Sequence, residues 1–267
     1  MSAALGGPDP AERFSEGVED YVRYRPGYPR ELVDMLRKDC GLTADAAIAD
    51  VGCGPGNLAV LFLERGITVF GVEPNAVMRE AGRKALERFP RFRPCDGRAE
   101  ATGLPPASVD FVTAGQAFHW FDPEAARAEF ERILKPGGWV ALVWNERVSQ
   151  SAFHDAYEAL LTRHGVDYSV IRASRNQEES ITAFFRRADI RRAVFTHAQT
   201  FDFEGLRGRL MSSSYAPRAG HPAHEPMLAD LRKVFDAHQK GGLVEFPYET
   251  TMWYGRLSRE CGAATPC

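Results

Sequence analysis

A glycine-rich turn, GCGPG at residues 52–56, directly follows the short apolar run AAIADV at residues 46–51. A strand that ends in such a turn and leads into a helix is typical of an open α/β sheet. Ligands of these sheets bind at the carboxyl ends of the strands. Glycine lets the chain bend sharply and lets a ligand approach the backbone without meeting a Cβ atom. The turn therefore predicts both a fold class and the position of a ligand.

Short apolar runs and helical patterns alternate through the first half of the chain. This alternation predicts a mostly parallel sheet with helices on both faces, a three-layer Rossmann-like α/β fold. The predicted strands lie at residues 46–51, 67–72, 92–95, 109–114 and 138–144. The predicted helices lie at residues 57–65, 75–89 and 123–134.

The alternation stops after about residue 150. Strand patterns recur at 193–201 and 243–257, and helical patterns at 153–164 and 230–239. We expect the late strands to pair as an antiparallel hairpin at the sheet edge, with helices forming a cap over the carboxyl ends of the strands. The predicted organisation is one domain over residues 1–267, with a ligand-binding core at about 40–147, an N-terminal lid at 15–39, and cap and substrate-side insertions at 150–242.

Composition and charge argue against several classes of protein. Hydrophobic residues make up 44% and charged residues 26%, as in ordinary globular proteins. The net charge of −3, with no long basic run, argues against a nucleic-acid partner. The five cysteines form no CxxC pair, which predicts a reduced, cytoplasmic protein. Neither a signal-peptide pattern nor a long apolar run is present, so we expect no membrane partner. We also expect a monomer or a homodimer.

The GxGxG spacing of the turn differs from that of two other nucleotide-binding loops. A dinucleotide loop reads GxGxxG, and a P-loop reads GxxxxGK followed by Ser or Thr. Pro55 also removes one N–H group that a pyrophosphate would need. Asp50, before the turn, favours a ligand with positive charge or hydrogen-bond donors. Glu73, at the end of the second strand, could accept both hydroxyls of a ribose.

These residues resemble the class I S-adenosylmethionine-dependent methyltransferases, of the methyltransferase type 11 group. The resemblance rests on ADVGCGPGN at 49–57, GVEPN at 71–75, GLPPASVDFV at 103–112 and LKPGGWVALVW at 134–144. It implies that the whole chain is one such domain, with S-adenosylmethionine as cofactor and S-adenosylhomocysteine as product. The implied contacts are Asp50, Gly52, Gly54 and Gly56 with the methionine end, Glu73 with the ribose, and Pro74 and Met78 with the adenine.

The stretch after the third strand departs from the family pattern. The family usually holds adenine with a short polar stretch such as Asp-Ala-Glu, whereas this chain has GRAE at residues 97–100. Arg98 has no hydrogen-bond acceptor to offer the adenine amino group. The backbone N–H of Ala99 could still reach the ring, and Asp96 could supply the missing acceptor. Both are therefore predicted cofactor contacts.

A dense polar and aromatic stretch, TAGQAFHWFD at residues 113–122, follows the fourth strand. Aromatic faces attract cations such as a sulfonium. We therefore predict that His119 and Trp120 border the acceptor. Gln116, in the same stretch, is predicted to contact the cofactor. For Phe121 we favour packing of the next helix onto the sheet. His119 is the candidate general base for a thiol, hydroxyl or amine acceptor, and a carboxylate acceptor would need no base.

The N-terminal segment YVRYRPGYP, at residues 21–29, narrows the resemblance. Together with FHWF at 118–121 it is similar to the branch that includes trans-aconitate methyltransferase. That branch implies that Arg25 pairs with the cofactor carboxylate and that Tyr21 or Tyr24 keeps water from the substrate. Tyr215 could orient an acceptor. His221 and His224 have flanking prolines and no third ligand nearby, so we predict no metal.

The sequence leaves the acceptor open. We expect a small molecule that is methylated at a carboxylate, thiol, hydroxyl or amine. Two alternatives stay open: an NAD-dependent oxidoreductase, because Glu73 would also suit the ribose of NAD, and a protein that binds S-adenosylmethionine without catalysis, for which Arg98 is the only hint.

Overall fold

The computed structural model describes residues 18–148, 151–169, 178–186 and 190–257. Within them lies one seven-stranded sheet with the order β3-β2-β1-β4-β5-β7-β6. The strands are β1 Ala47–Val51, β2 Thr68–Val72, β3 Phe92–Cys95, β4 Val109–Gly115, β5 Leu134–Arg147, β6 Arg191–Phe201 and β7 Val244–Gly255.

Helices connect these strands, and several begin where their capping residues predict. Asn75 accepts hydrogen bonds from the N–H groups of Val77 and Met78, and Asp122 caps the helix that begins at Pro123. The helices are α1 Val18–Tyr24, α2 Glu31–Cys40, α3 Ala59–Leu63, α4 Ala76–Ala85, α5 Pro123–Ile133, α6 Ala152–His164, α7 Glu178–Phe185, α8 Phe203–Met211 and α9 His224–His238. A short 3₁₀ turn spans Phe118–Trp120.

The strand directions confirm the predicted α/β fold. Strands β1 to β5 pair in parallel, and β7 pairs antiparallel with both β5 and β6. The predicted hairpin is present, with β7 inside the sheet and β6 at its edge. The order of the strands reverses between β1 and β4, and a ligand of an open α/β sheet binds at this point, outside the carboxyl ends of the strands.

Apolar side chains cover both faces of the sheet. On one face, α2 and α3 bury Leu36 and Phe62 against Ile48 of β1. On the other face, α5 and α7 bury Phe130 and Phe184 against the strands. Because both faces are covered, β5 carries an unbroken buried run from Val140 to Trp144. The three layers were predicted from the alternation of strands and helices.

A third apolar cluster lies at one end of the sheet. Strand β5 ends at Arg147, opposite Tyr248, but the pairing of β6 with β7 continues to Phe201 and Val244. The hairpin therefore extends beyond the carboxyl end of β5. Helices α6, α8 and α9 pack on this extension and form the cap. Helix α6 precedes β6 in the chain, so the cap is built from segments on both sides of that strand.

None of the helices that the structure describes is both long and apolar enough to cross a membrane.

Candidate functional site

The glycine turn joins the carboxyl end of β1 to the end of β2. The N–H groups of Gly52 and Cys53 both donate to the carbonyl of Val72, at 2.8 and 3.2 Å. The backbone φ angles of Gly52, Gly54 and Gly56 are +68°, +53° and +92°, a region that side chains disfavour. The turn is therefore held in place by β2 and depends on glycine for its conformation.

The three glycines of the turn have different surroundings. A Cβ atom added at Gly52 would lie 2.6 Å from the Cβ atom of Ala117, and one added at Gly56 would clash with Leu86. A Cβ atom added at Gly54 would meet no atom within 4 Å. Gly56 thus permits packing against the end of α4, whereas Gly54 faces open space beside the sheet.

Glu73 fixes the other side of this space. Its Oε2 atom accepts a hydrogen bond from the N–H of Gly54, and its Oε1 atom accepts one from the N–H of Asn75, both at 2.9 Å. Burial raises the pKa of Glu73, although these two hydrogen bonds oppose the shift. The carboxylate is therefore oriented by two backbone donors, and it also lines a cavity.

That cavity has a volume of about 510 Å³ and lies along the carboxyl ends of β1, β2 and β4. Most of the residues predicted to contact the cofactor line it. They are Gly52, Gly54, Glu73, Pro74, Met78 and Ala99, with Gln116. Tyr21 and Trp120, predicted to lie near the acceptor, also line it. The position predicted for a ligand, at the switch point of the sheet, is thus occupied by an open cavity.

A smaller cavity of about 30 Å³ adjoins the glycine turn and shares Tyr21, Gly52 and Gln116 with the larger one. Two charged side chains border it, Arg25 and Asp50. Arg25 stacks on the ring of Tyr21, 4.9 Å from its centre. This smaller cavity therefore offers one cation and one carboxyl group to a ligand.

Asp50 is fully buried. Its Oδ1 atom accepts a hydrogen bond from the hydroxyl of Thr113 at 2.9 Å, and its Oδ2 atom has no hydrogen-bond partner of normal geometry among the described residues. Burial raises the pKa of Asp50 to about 7, against the opposing effects of Thr113 and the backbone of Ala59. A ligand with a positively charged donor would favour the ionised form of this group.

Gln116 lies where the two cavities meet. It has a φ angle of +57°, which is uncommon for a residue other than glycine. Its backbone N–H donates to the carbonyl of Val143 at 2.9 Å, and its side-chain Nε2 donates to the carbonyl of Asn145 at 2.7 Å. Two bonds to β5 thus hold Gln116 in its strained conformation.

The structure places five predicted site residues outside the lining of both cavities. His119 is exposed, and its ring centre lies 4.7 Å from that of Trp120. Asp96 is largely exposed and forms an ion pair with Arg79 at 3.1 Å. Gly56 packs against Leu86, Tyr24 against Gly208 of α8, and Tyr215 accepts a hydrogen bond from Arg147 inside the cap. The reason is tertiary packing, which places Gly56 and the side chains of Asp96, Tyr24 and Tyr215 against other partners and leaves His119 at the surface.

Seven residues that we did not predict line the larger cavity: Asn75, Arg98, Glu100, Gly115, Ala117, Phe121 and Asp122. Arg98 and Ala101 exchange two backbone hydrogen bonds of 3.1 Å in a tight turn that presents Ala99 to the cavity. Asn75 and Asp122 are the capping residues of α4 and α5. A helix that follows a parallel strand begins at the edge of the sheet where ligands bind, so its capping residue lies near the ligand site. The capping signals of Asn75 and Asp122 in the sequence could therefore have identified them as lining residues.

Comparison with known proteins identifies a matching family model and relatives by sequence. A family model described as a methyltransferase domain matches residues 49–142. An uncharacterized methyltransferase of Mycobacterium tuberculosis is 40% identical over 134 residues, which cover 50% of this chain and 52% of the relative. An uncharacterized methyltransferase of Geobacillus thermodenitrificans is 33% identical over 161 residues, covering 57% of this chain and 71% of the relative. The match thus spans about half the length of the mycobacterial relative.

Solved structures share the fold. A candidate type II methyltransferase of Anaeromyxobacter dehalogenans is 25% identical and superposes with a TM-score of 0.64 over 88% of this chain and 98% of its own. A candidate methyltransferase from an antibiotic biosynthesis pathway of Anabaena variabilis is 21% identical, with a TM-score of 0.61 over 89% of this chain and 100% of its own. The second similarity is one of fold.

Proposed function

This chain belongs to the methyltransferase family, and we propose that it transfers a methyl group from S-adenosylmethionine to a small-molecule acceptor. The observation that carries the proposal is the pair of joined cavities at the carboxyl ends of the strands. The larger is bordered by the oriented carboxylate of Glu73, and the smaller by Arg25 and Asp50. The branch that includes trans-aconitate methyltransferase remains a prediction.

The larger cavity fits an adenosyl group. Each oxygen of the Glu73 carboxylate accepts one backbone hydrogen bond and keeps capacity for another, so the two could accept the ribose hydroxyls. Pro74 and Met78 supply an apolar wall for the base. The open space at Gly54 lets a ligand lie against the backbone of the turn.

The smaller cavity presents the charges that suit the amino-acid end of the same cofactor. A guanidinium can pair with its carboxylate, and the Oδ2 atom of Asp50 can accept a hydrogen bond from its ammonium group. A pyrophosphate would instead bring negative charge next to Asp50. The charges at this end therefore favour S-adenosylmethionine over NAD.

S-adenosylmethionine, when bound, supplies a methyl group activated by a sulfonium. The contribution of this chain is position: Glu73, Arg25 and Asp50 would hold the two ends of the cofactor, and Gln116 lies where the two cavities meet. Aromatic rings of Tyr21 and Trp120 border that region, attract a cation and exclude water. Holding the reacting atoms in line and dry can supply much of the rate of such a displacement.

A titration separates this proposal from the oxidoreductase alternative. Isothermal titration of the purified protein with S-adenosylhomocysteine should give saturable binding, and titration with NAD should give none. At a ligand concentration of 100 times Kd, S-adenosylhomocysteine should stabilise the fold by about 2.7 kcal/mol, which is measurable as a rise in Tm. Binding of NAD without binding of S-adenosylhomocysteine would reject the proposal. Binding without methyl transfer to a broad panel of small molecules would favour the non-catalytic alternative.

The affinity for S-adenosylhomocysteine should depend on pH through Asp50. The ammonium needs an ionised Asp50, whose pKa in the free protein is raised to about 7. Lowering the pH from 8 to 6 protonates most of this carboxyl group, so the affinity should fall by about tenfold. Calorimetry across this range measures the effect. The Asp50→Asn variant should bind more weakly at pH 8 and show a nearly flat profile, and an equally steep profile in that variant would assign the dependence to another group.

His119→Ala should leave both cofactor affinity and turnover nearly unchanged. The ring of His119 is exposed and outside the cavity lining, whereas a general base must reach the proton that it removes. Affinity for S-adenosylhomocysteine and kcat with the first acceptor found in a panel should both stay within about threefold of the wild type. A loss of about 100-fold in kcat with unchanged affinity would support the base role predicted from the sequence.

A further inference from the structure

Two arginine side chains reach one turn at the end of α8 from different sides. Arg25, just after α1, donates from Nε and Nη2 to the carbonyl of Ser212, at 3.2 and 2.8 Å. Arg209, on α8, donates from Nη1 to the hydroxyl of Ser213 at 3.2 Å and from Nε to the hydroxyl of Tyr248 at 2.9 Å. All of these acceptors are carbonyl or hydroxyl oxygens, and none is a carboxylate.

Neither guanidinium is neutralised by a carboxylate of the described residues. A nearby arginine of the cap shows the contrast, because Arg147 donates two hydrogen bonds to the Oε1 atom of Glu158, at 3.0 and 2.6 Å. Arg209 is only 3% exposed, and buried charges are normally paired because their desolvation is costly. Burial and the repulsion from Arg209 together lower the pKa of Arg25. The contact between the core and the cap therefore carries positive charge, at Arg25 and Arg209, that no carboxylate of the described residues compensates.

The charge is accessible to a ligand from one side. Arg25 borders the smaller cavity, together with Gly52 and Gln116. The carbonyl of Ser212 occupies the edge of its guanidinium formed by Nε and Nη2, and Nη1 makes no hydrogen bond with a described residue. An anion in this cavity can bind Arg25 directly and is stabilised by the charge of Arg209 behind it.

We propose that Arg25 and Arg209 form a carboxylate-binding site shared between the core and the cap, in which Arg25 contacts the ligand and Arg209 is a positioning residue. The inference rests on the proposed function, which supplies two possible sources of the carboxylate. One is the amino-acid end of the cofactor, which the neighbouring Asp50 favours, and the other is an acidic acceptor. In either case, binding relieves the repulsion between the two arginines and links the position of α8 to ligand binding.

The experiment compares two nucleosides that differ at the amino-acid end. S-adenosylhomocysteine carries the carboxylate, and 5′-methylthioadenosine lacks the whole amino-acid end. In Arg209→Met, calorimetry should show the ratio of their affinities reduced by about tenfold or more, with the affinity for 5′-methylthioadenosine unchanged. Arg207→Met is the matched control, because Arg207 is on the same helix, is half exposed and pairs with Glu204. It should retain the wild-type ratio.

A second arm tests the acceptor as the source. Protein saturated with S-adenosylhomocysteine is titrated with succinate as a carboxylate probe. If Arg209→Met loses succinate binding but keeps the ratio of nucleoside affinities, the site serves an acceptor. If the ratio of the affinities for S-adenosylhomocysteine and 5′-methylthioadenosine falls in Arg209→Met, the site serves the cofactor. Both results support the proposal, and Arg209→Gln, which keeps a hydrogen-bonding side chain without charge, repeats the measurement if the Met variant does not fold.

Two outcomes overturn the inference. One is an equal loss of affinity for both nucleosides, which indicates a structural role for Arg209. The other is a variant that binds every ligand as the wild type does. Failure of the proposed function is distinguishable from both, because then the wild-type protein itself binds neither nucleoside.

Discussion

Gly54→Ala is expected to weaken the binding of S-adenosylhomocysteine by about 100-fold, equivalent to about 2.7 kcal/mol. Gly54 lines the larger cavity and the added methyl group meets no protein atom within 4 Å, so it would take up space proposed for the ligand. The N–H of Gly54 also donates to Glu73, so a change in this backbone disturbs the group proposed to hold the ribose. Calorimetry gives the affinity, and thermal unfolding gives the stability.

Gly66→Ala is the matched control for this prediction. Gly66 also has a positive φ angle, +74°, and an added Cβ atom there again meets nothing within 4 Å. It lies after α3 and outside the lining of both cavities. Both variants should lose about 1 kcal/mol of stability from backbone strain, and only Gly54→Ala should lose affinity. Equal affinities in the two variants would show that the glycine turn does not contact the ligand.

Most of the first five strands could be predicted from the sequence, because parallel strands covered on both faces appear as largely apolar runs. The run at residues 140–144 in β5 is such a case. The exception is the short edge strand β3, FRPC, which is mostly exposed. Helix α9 was predicted from residue 230 but begins at His224. Its first turn contains Pro226, which resembles loop sequence, although the first turn of a helix tolerates proline. The error therefore arises because proline occurs both in loops and in the first turn of a helix.

Individual site residues were harder to predict than the site. The GxGxG pattern treats its three glycines alike, and only the structure shows that Gly54 faces the cavity while Gly56 faces Leu86. His119 lies in a 3₁₀ turn, where Phe118 is buried and His119 is exposed. Tyr24 and Tyr215 contact α8 and Arg147, which are distant in sequence, so no local pattern could predict these contacts.

Glu73→Gln is expected to reduce both stability and cofactor affinity. In the wild type, each carboxylate oxygen accepts a backbone N–H, from Gly54 and from Asn75. A glutamine has one oxygen, so its amide NH₂ would face one of these N–H donors and leave it without an acceptor. The loss of this buried hydrogen bond should cost about 1–3 kcal/mol in the free energy of unfolding. The affinity for S-adenosylhomocysteine should fall by about 100-fold, because the ribose also loses an acceptor.

Glu80→Gln separates this effect from a simple loss of negative charge. Glu80 lies on the exposed side of α4 and pairs with Arg83 at the surface, so its variant should keep the wild-type Tm and affinity. If Glu73 served only to hold the glycine turn, its variant would lose the same proportion of affinity for S-adenosylhomocysteine and for adenine. If Glu73 binds the ribose, the loss should appear with S-adenosylhomocysteine and adenosine but not with adenine. A Glu73→Gln protein that binds all three ligands as the wild type does would remove Glu73 from the site.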